Sequence, residues 1–236
     1  MAAPSVPDDL KSRLKASYDA IAPKYNEWTI PHSEQRLKYL GKLLEMLPLG
    51  ESHPLGALHV LELGCGCGLP VTQKLLSYPS ISVTANDISS TQIELAKGNL
   101  LKGNSEQVAA AEARLALKEG DMNSLSFPDA SLDAVLGFYS IIHLPRGEQT
   151  ELLRKIAGWL KPGGYLLANF AEQELEGLVM GQWLGEKNGW MFWSGWGEKG
   201  TLKAVKEVGL ETVVAEVEHD AVDASFLWVI ARKPSV

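Results

Sequence analysis

The sequence predicts an α/β chain whose seven strands form a mostly parallel sheet, covered by helices on both faces and ending in an antiparallel hairpin. Three observations carry this expectation. Short apolar runs alternate with segments whose apolar residues recur every three or four positions, as when strands feed crossover helices. A glycine cluster, Gly64, Gly66 and Gly68 in "GCGCG", follows directly on the first of those runs. The last two runs are too closely spaced for a crossover helix and are expected to pair antiparallel.

The elements follow in order. Leu10, Leu14, Tyr18, Ile21 and Tyr25 step along one face of a first helix, which Pro23 is expected to break or kink. A second helix is predicted after Ser33, with Leu37, Leu40, Leu43 and Leu47 on one side and Pro48 as its stop. "LHVLELG" reads as the first strand, followed by the glycine loop and a helix through Val71 and Leu75. "ISVTAND" is the second strand. Ser89 and Gln92 have the spacing of a capping box for a helix carrying Ile93, Ala96 and Leu100. "RLALKEGD" and "LDAVLGFYS" are the third and fourth strands. A helix with Leu152, Leu153, Ile156 and Leu160 inward ends at "KPGG", and "YLLANF" is the fifth strand. An irregular stretch precedes a helix through Leu202, Val205 and Val208, capped by Gly209. "ETVVAEVEH" and "SFLWVIARK", joined by a short polar turn, complete the sheet. No internal repeat interrupts the chain, so one domain over residues 1–236 is expected.

Composition narrows the class. The 236 residues are 45% hydrophobic and 22% charged, with a formal net charge of −7, which disfavours nucleic acid and anionic membranes as partners. No apolar run is long enough to span a bilayer, and the first residues lack the pattern of a signal peptide. Cys65 and Cys67 are the only cysteines, so no disulfide framework exists and a cytoplasmic location is expected.

In open α/β sheets ligands bind at the carboxyl ends of the strands. The glycine loop occupies that end of the first strand, where a backbone can approach a ligand and a helix offers free N–H groups. A dinucleotide fingerprint would have a third glycine where Leu69 stands, and no Gly-Lys-Ser/Thr follows for a phosphate loop. Cys65 and Cys67 stand two apart with no partner pair, which fits small residues in a tight turn and no metal. Asp87, at the end of the second strand, can accept hydrogen bonds from a ribose diol, with Ile88 against an adenine face, or can simply start a turn. Asp121, after the third strand, is placed to accept from an adenine amino group.

"VLELGCGCG", "VTANDIS", "EGDMNSLSFPDASLDAVLGFYSIIHLP" and "LLRKIAGWLKPGGYLLANF" resemble the successive motifs of class I S-adenosylmethionine-dependent methyltransferases. "YDAIAPKYNEW" resembles the N-terminal helix of small-molecule members, such as the ubiquinone/menaquinone C-methyltransferase-like group. The resemblance covers roughly Tyr18 to Phe170. It implies a Rossmann-like fold, S-adenosylmethionine as cofactor with S-adenosylhomocysteine as product, and no metal. Gly64 and Gly66, with Cys65 between them, would face the methionine part, and Glu62 would orient the loop from behind. Asp87 would hold the ribose hydroxyls beside Ile88 and Gln92, and Asp121 with the N–H of Met122 would read the adenine edge. Phe138 would border the sulfonium. Tyr18 and Tyr25 would close over the cofactor carboxylate, or Tyr18 would pack in the core.

"GFYSII" replaces the Asn/Asp-Pro-Pro-aromatic motif of base-amine and glutamine methylases, which disfavours that chemistry, and no carboxylate cluster for metal-assisted catechol methylation can be placed. His143 is the candidate general base, with shaping of the pocket wall as the alternative; Tyr139 is a candidate for orienting substrate. His32, His53, His59 and His219 have no supporting context. The lid implied by the resemblance comprises residues 1–50 and an aromatic-rich insertion at residues 171–199. That insertion holds Trp183, Trp190, Trp193 and Trp196, four of the seven tryptophans, with Met180, Met191 and Phe192. Trp28, Trp183, Trp190, Phe192 and Trp193 are the candidate substrate contacts, offering a stacking surface or a cation–π wall. The expected activity is methyl transfer to the O, N, S or C of a small apolar or aromatic molecule, by a monomer or homodimer. A non-catalytic cofactor-binding module and a nicotinamide oxidoreductase are the rival readings.

Overall fold

A computed structural model describes residues 6–50, 54–55, 57–220 and 224–235; His53 and the expected hairpin turn at 221–223 lie outside them. Helices α1 (Leu10–Thr29) and α2 (Glu34–Met46) precede β1 (Leu58–Leu63), α3 (Val71–Leu76), β2 (Ile81–Asp87), α4 (Ser90–Leu100) and α5 (Ser105–Glu112). Then come β3 (Leu115–Glu119), β4 (Leu132–Gly137), α6 (Arg146–Trp159), β5 (Leu160–Ala171), β6 (Glu174–Gly181) and β7 (Trp190–Trp196). The described elements end with α7 (Gly197–Glu207), β8 (Glu211–Asp220) and β9 (Ala224–Arg232).

Seven strands form one sheet in the order β3-β2-β1-β4-β5-β9-β8. The five strands β1 to β5 pair parallel, and β9 inserts antiparallel between β5 and β8, the hairpin the short connection predicts. The order reverses between β1 and β4, so the loops leaving those strands diverge and open a crevice at their carboxyl ends.

Alternation along the strands feeds two cores. Leu227, Val229 and Ala231 of β9 meet Leu152, Leu153 and Ile156 of α6 on one face. Trp228 and Ile230 meet Tyr39, Leu40 and Leu43 of α2 on the other. The Tyr39 ring stacks on Trp228 at 4.4 Å between centroids, with planes 5° apart. Trp228 is wholly buried, so Trp228→Ala is expected to cost about 3–5 kcal/mol. Urea unfolding checks this as a lower midpoint at unchanged slope; a loss under about 1 kcal/mol would contradict the packing described.

Several local expectations are revised. α1 runs from Leu10 through Pro23 to Thr29 without a break. Pro23 lacks one N–H bond, but Leu10, Leu14 and Ile21 are buried against Met191 and Phe192, and that packing outweighs local propensity. Leu37 is exposed, so the buried face of α2 runs through Tyr39, Leu40, Leu43 and Leu44. Ser89 caps α4 by accepting from Gln92 N, but the Gln92 side chain bonds Asn26 and does not close the box. α5 buries no residue and is held locally by a true capping box between Asn104 and Gln107, so it has no apolar stripe to announce it. β5 begins at Leu160 and passes through "KPGG". Residues 171–199 are not irregular: β6 and β7 pair as a separate antiparallel hairpin, with Gly181 opposite Trp190.

Candidate active site

The glycine loop is bolted to β2. Gly64 N and Cys65 N both donate to Asn86 O, at 2.7 and 2.9 Å. Gly64 has φ +72°, and a Cβ there would lie 2.4 Å from Ser140 Cβ. Gly66 has φ +56°, but a Cβ there would meet nothing within 4 Å, because this stretch of backbone faces open space. Its N–H donates to Asp87 Oδ2 at 2.9 Å, while Ser89 N donates to Asp87 Oδ1 at 2.9 Å. Asp87 thus holds both the loop and the start of α4, and a carboxylate with two oxygens still has lone pairs for a ligand. Burial pushes its carboxyl up to about 6, against the pull of the Ser89 and Gly66 amides. Glu62 accepts from Thr72 Oγ1 at 2.5 Å and is pushed up to about 7, again chiefly by burial. Burial likewise raises the Cys65 and Cys67 thiols, so neither is an activated nucleophile.

All twelve residues that the resemblance assigns to the cofactor line one narrow chamber here: Tyr18, Tyr25, Glu62, Gly64, Cys65, Gly66, Asp87, Ile88, Gln92, Asp121, Met122 and Phe138. α1 roofs it. Lys11 Nζ reaches Asp121 at 3.0 Å and Glu148 at 2.6 Å, and Lys15 Nζ reaches Glu119 at 2.9 Å and Asp19 at 3.2 Å. Asp121 also accepts from Asn123 N at 3.0 Å. Arg36 was not foreseen, because one arginine on an amphipathic helix reads as a solvated charge. Its Nη2 donates to Thr29 O at 2.6 Å and Ser33 Oγ at 2.9 Å, while its buried Nε has no partner among the described residues.

A second chamber of about 640 Å³ adjoins the first. Tyr18, Tyr25, Thr29, Arg36, Tyr139 and His143 line both, forming the shared wall. Trp28, Trp183 and Trp193 line the second chamber; Trp190 and Phe192 reach neither. Phe192 is fully buried against α1, and the Trp190 ring lies under the Arg13 guanidinium at 4.0 Å while the Trp190 backbone N–H donates to Ser17 Oγ. Consecutive residues of β7 point to opposite faces, so Trp193 faces the chamber while Phe192 packs behind it.

His143 is buried in the shared wall. Its Nδ1 lies 2.7 Å from Phe192 O, which fixes the proton on that nitrogen and leaves Nε2 to accept from the Tyr18 hydroxyl at 2.8 Å. Burial lowers its pKa to about 4, opposed by the bond to the Phe192 carbonyl, so the ring is neutral near pH 7. Tyr139 sits at φ +53°, its N–H on Asn169 Oδ1 at 2.6 Å and its hydroxyl donating to Asp220. Among the described residues no group of three or more His, Cys, Asp or Glu is arranged to hold a metal. None of the described helices is long and apolar enough to cross a membrane.

A methyltransferase-domain family matches residues 60–164. The 27-O-demethylrifamycin SV methyltransferase of Amycolatopsis mediterranei is 31% identical over 133 residues, 56% of this chain and 44% of that protein. The chain spans less than half the length of the curated relatives it matches. Among solved structures, the 1,6-didemethyltoxoflavin-N1-methyltransferase of Burkholderia thailandensis, with 1,6-didemethyltoxoflavin and S-adenosylhomocysteine bound, superposes with a TM-score of 0.69 at 16% identity. That match covers 99% of this chain and 93% of the other. The magnesium protoporphyrin IX methyltransferase of Synechocystis, with its S-adenosylmethionine bound, gives 0.67 at 14% identity over 98% and 100%. At these identities the likeness is one of fold.

Proposed function

We propose, from the premise that this chain carries a class I S-adenosylmethionine-dependent methyltransferase domain, that it moves a methyl group from that cofactor to a small apolar or aromatic molecule in the second chamber. The observation that carries this reading is the wall shared by the two chambers, at the reversal of strand order. The residues present fit the cofactor. Backbone at Gly66 opens onto space a side chain would fill, Asp87 presents a buried carboxylate, and the Nε of Arg36 is an orphaned donor suited to a carboxylate. Bound there, the cofactor supplies a methyl group on a positively charged sulfur.

Every further role belongs to the protein. Asp87 accepts from the ribose hydroxyls, with Ile88 and Gln92 beside it, while Asp121 and the N–H of Met122 take the adenine edge. Arg36 and Tyr25 face the cofactor carboxylate. Phe138 and the backbone of Gly64 to Gly66, with Cys65 between, leave an apolar, close-fitting passage, and Glu62 steadies the loop through Thr72. Admission of the cofactor requires α1 to lift. The Lys11 and Lys15 ion pairs are partly exposed and worth little individually, which suits a lid. His143 acts as a positioning residue: its lone pair is taken by Tyr18, and it ties α1 and β7 to the loop after β4. Tyr139, held by Asp220, faces the acceptor.

Two measurements follow. Methyl-labelled S-adenosylmethionine incubated with the protein and a cell extract should label a small molecule that partitions into organic solvent. Tight S-adenosylhomocysteine binding with no labelled product would favour the binding-module reading. Glu62 and Asp87 are raised by burial, so a cationic cofactor binds best to their ionised forms. Affinity should therefore rise from pH 5 to pH 7.5 with proton release on binding, as calorimetry in buffers of different ionisation enthalpy reports; pH-independent affinity would contradict it. The same shifts predict that the ligand-free protein loses stability as pH rises from the ordinary carboxyl values of about 4 up to about 6 to 7, because over that range the unfolded carboxyls ionise while the buried ones stay protonated.

A further inference from the structure

We propose that the acceptor carries an aliphatic tail, which leaves the second chamber along an apolar groove on β6; this rests on the methyltransferase reading above. The groove can be followed outward from the cofactor side. His143, buried in the wall shared by the two chambers, has its ring 6.0 Å from that of Trp193 on β7. Trp193 pairs with Leu178 across the β6–β7 ladder, and directly paired residues present their side chains on one face. Met180, two residues on, returns to that face about 7 Å farther along β6. Trp193, Leu178 and Met180 all line the second chamber.

Exposure rises along this path. His143 is 9% exposed, whereas Leu178 and Met180 are 46% and 44% exposed. The chamber is thus closed on the cofactor side and opens to water over apolar side chains. Its lining changes in the same direction. The Trp183 ring, which meets Tyr25 of the shared wall at 5.6 Å and Trp193 at 6.0 Å, belongs to the aromatic inner part. The exit is aliphatic, and its methionine adapts to a flexible chain. Polar lining lies elsewhere, at Thr29 and Arg36 in the shared wall and at Glu172 between β5 and β6.

Leu178 and Met180 are exposed on the inside of a cavity, which assigns their surface to a ligand. Val179 between them points to the other face of β6, lines no part of the chamber and is 40% exposed. A second copy of the chain seated on this strand would need about 800 Å² per partner, far more than three side chains, each less than half exposed, supply. A net charge of −7 gives no general attraction to an anionic membrane. A soluble amphiphile satisfies both ends, with its methyl-accepting head at the shared wall and its tail over Leu178 and Met180.

The test titrates 4-ethylphenol, 4-butylphenol and 4-hexylphenol calorimetrically into the full chain at pH 7.5, with and without saturating S-adenosylhomocysteine. Affinity should rise about 2- to 3-fold per methylene, roughly 30-fold from ethyl to hexyl, as for a chain lying on apolar surface with one side in water. In a Leu178→Ser/Met180→Ser double variant the whole rise should shrink below about 3-fold with 4-ethylphenol unchanged, while Val179→Ser should keep it. Unchanged S-adenosylhomocysteine affinity reports that the variants fold; Met180→Ser alone replaces a double variant that does not. A wild-type series without a rise, a rise that survives the double substitution, or one lost equally in Val179→Ser overturns the proposal. Sedimentation velocity, and pelleting with neutral phosphatidylcholine vesicles, should not distinguish wild type from the double variant. Self-association or vesicle binding that the double substitution abolishes would give the groove to a second copy or a membrane, and also overturns it. S-adenosylhomocysteine that fails to bind the wild type overturns the cofactor reading, while the phenol series without it still decides the groove.

Discussion

Asp87→Ala should weaken S-adenosylhomocysteine binding about 100-fold, the largest effect on affinity expected of one substitution in this chain. The size follows from the bonds lost. A ribose diol gives two hydrogen bonds to a charged acceptor, each worth about 1.5–3 kcal/mol when the partner is removed, while about 2.7 kcal/mol suffices for 100-fold. The loop adds to the loss, since Gly66 N and Ser89 N each lose the same carboxylate. Stability should change far less. Burial raises the Asp87 carboxyl to about 6, so the ionised group costs the fold something at pH 7, and its removal offsets the two amides left unbonded. Asp87→Asn should be nearly as damaging to binding, because an amide turned either way presents an N–H to one of the two backbone donors. Calorimetry against S-adenosylhomocysteine, beside a urea melt, separates the effects. A 100-fold loss paralleled by collapse of the melt would mean that Asp87 is structural only.

Gly64→Ala and Gly66→Ala should fail in opposite ways. At Gly64 a methyl group would overlap Ser140 Cβ at 2.4 Å, with φ already at +72°. Ser140 cannot yield freely, since its Oγ bonds Leu63 O at 2.7 Å. The substitution should cost about 2–4 kcal/mol of stability, combining left-handed strain with overpacking. At Gly66, with φ +56° and no atom within 4 Å, only the strain of about 1–2 kcal/mol applies. There the new methyl group projects into the chamber and should reduce cofactor affinity by about 10-fold or more, as a misfit in a close-packed site does. Urea unfolding and calorimetry on both variants check the contrast; matching losses of stability would contradict the packing described.

The parallel core of the fold was legible because β1, β2 and β4 are short apolar runs punctuated by glycine, aspartate and capping residues. The hairpin of β8 and β9 was legible from its short connection. What the sequence concealed has physical causes. Pro23 signals a break, yet α1 continues because its buried leucines pack on β7. The hairpin β6–β7 escaped because glycines interrupt its alternation and its aromatics fall on both faces, which also separates Trp193 from Phe192. In the candidate site, residues at the strand ends could be located because topology alone brings Gly64, Asp87, Asp121 and Phe138 to one edge. Arg36 and Glu172 could not. Each reaches the chambers through tertiary placement, from α2 and from the strand end leading to the hairpin, with no motif around it. His143 was legible as a residue near the crevice, but its two readings differ only through partners distant in sequence, Tyr18 and Phe192.

Calorimetric titration of the wild-type chain with S-adenosylhomocysteine and, separately, with NAD at pH 7.5 decides whether the chamber at the β1–β4 reversal takes S-adenosylmethionine. Saturable one-to-one binding of S-adenosylhomocysteine is expected, weakened about 100-fold by Asp87→Ala, with no heat from NAD. Binding of NAD with none of S-adenosylhomocysteine would contradict it.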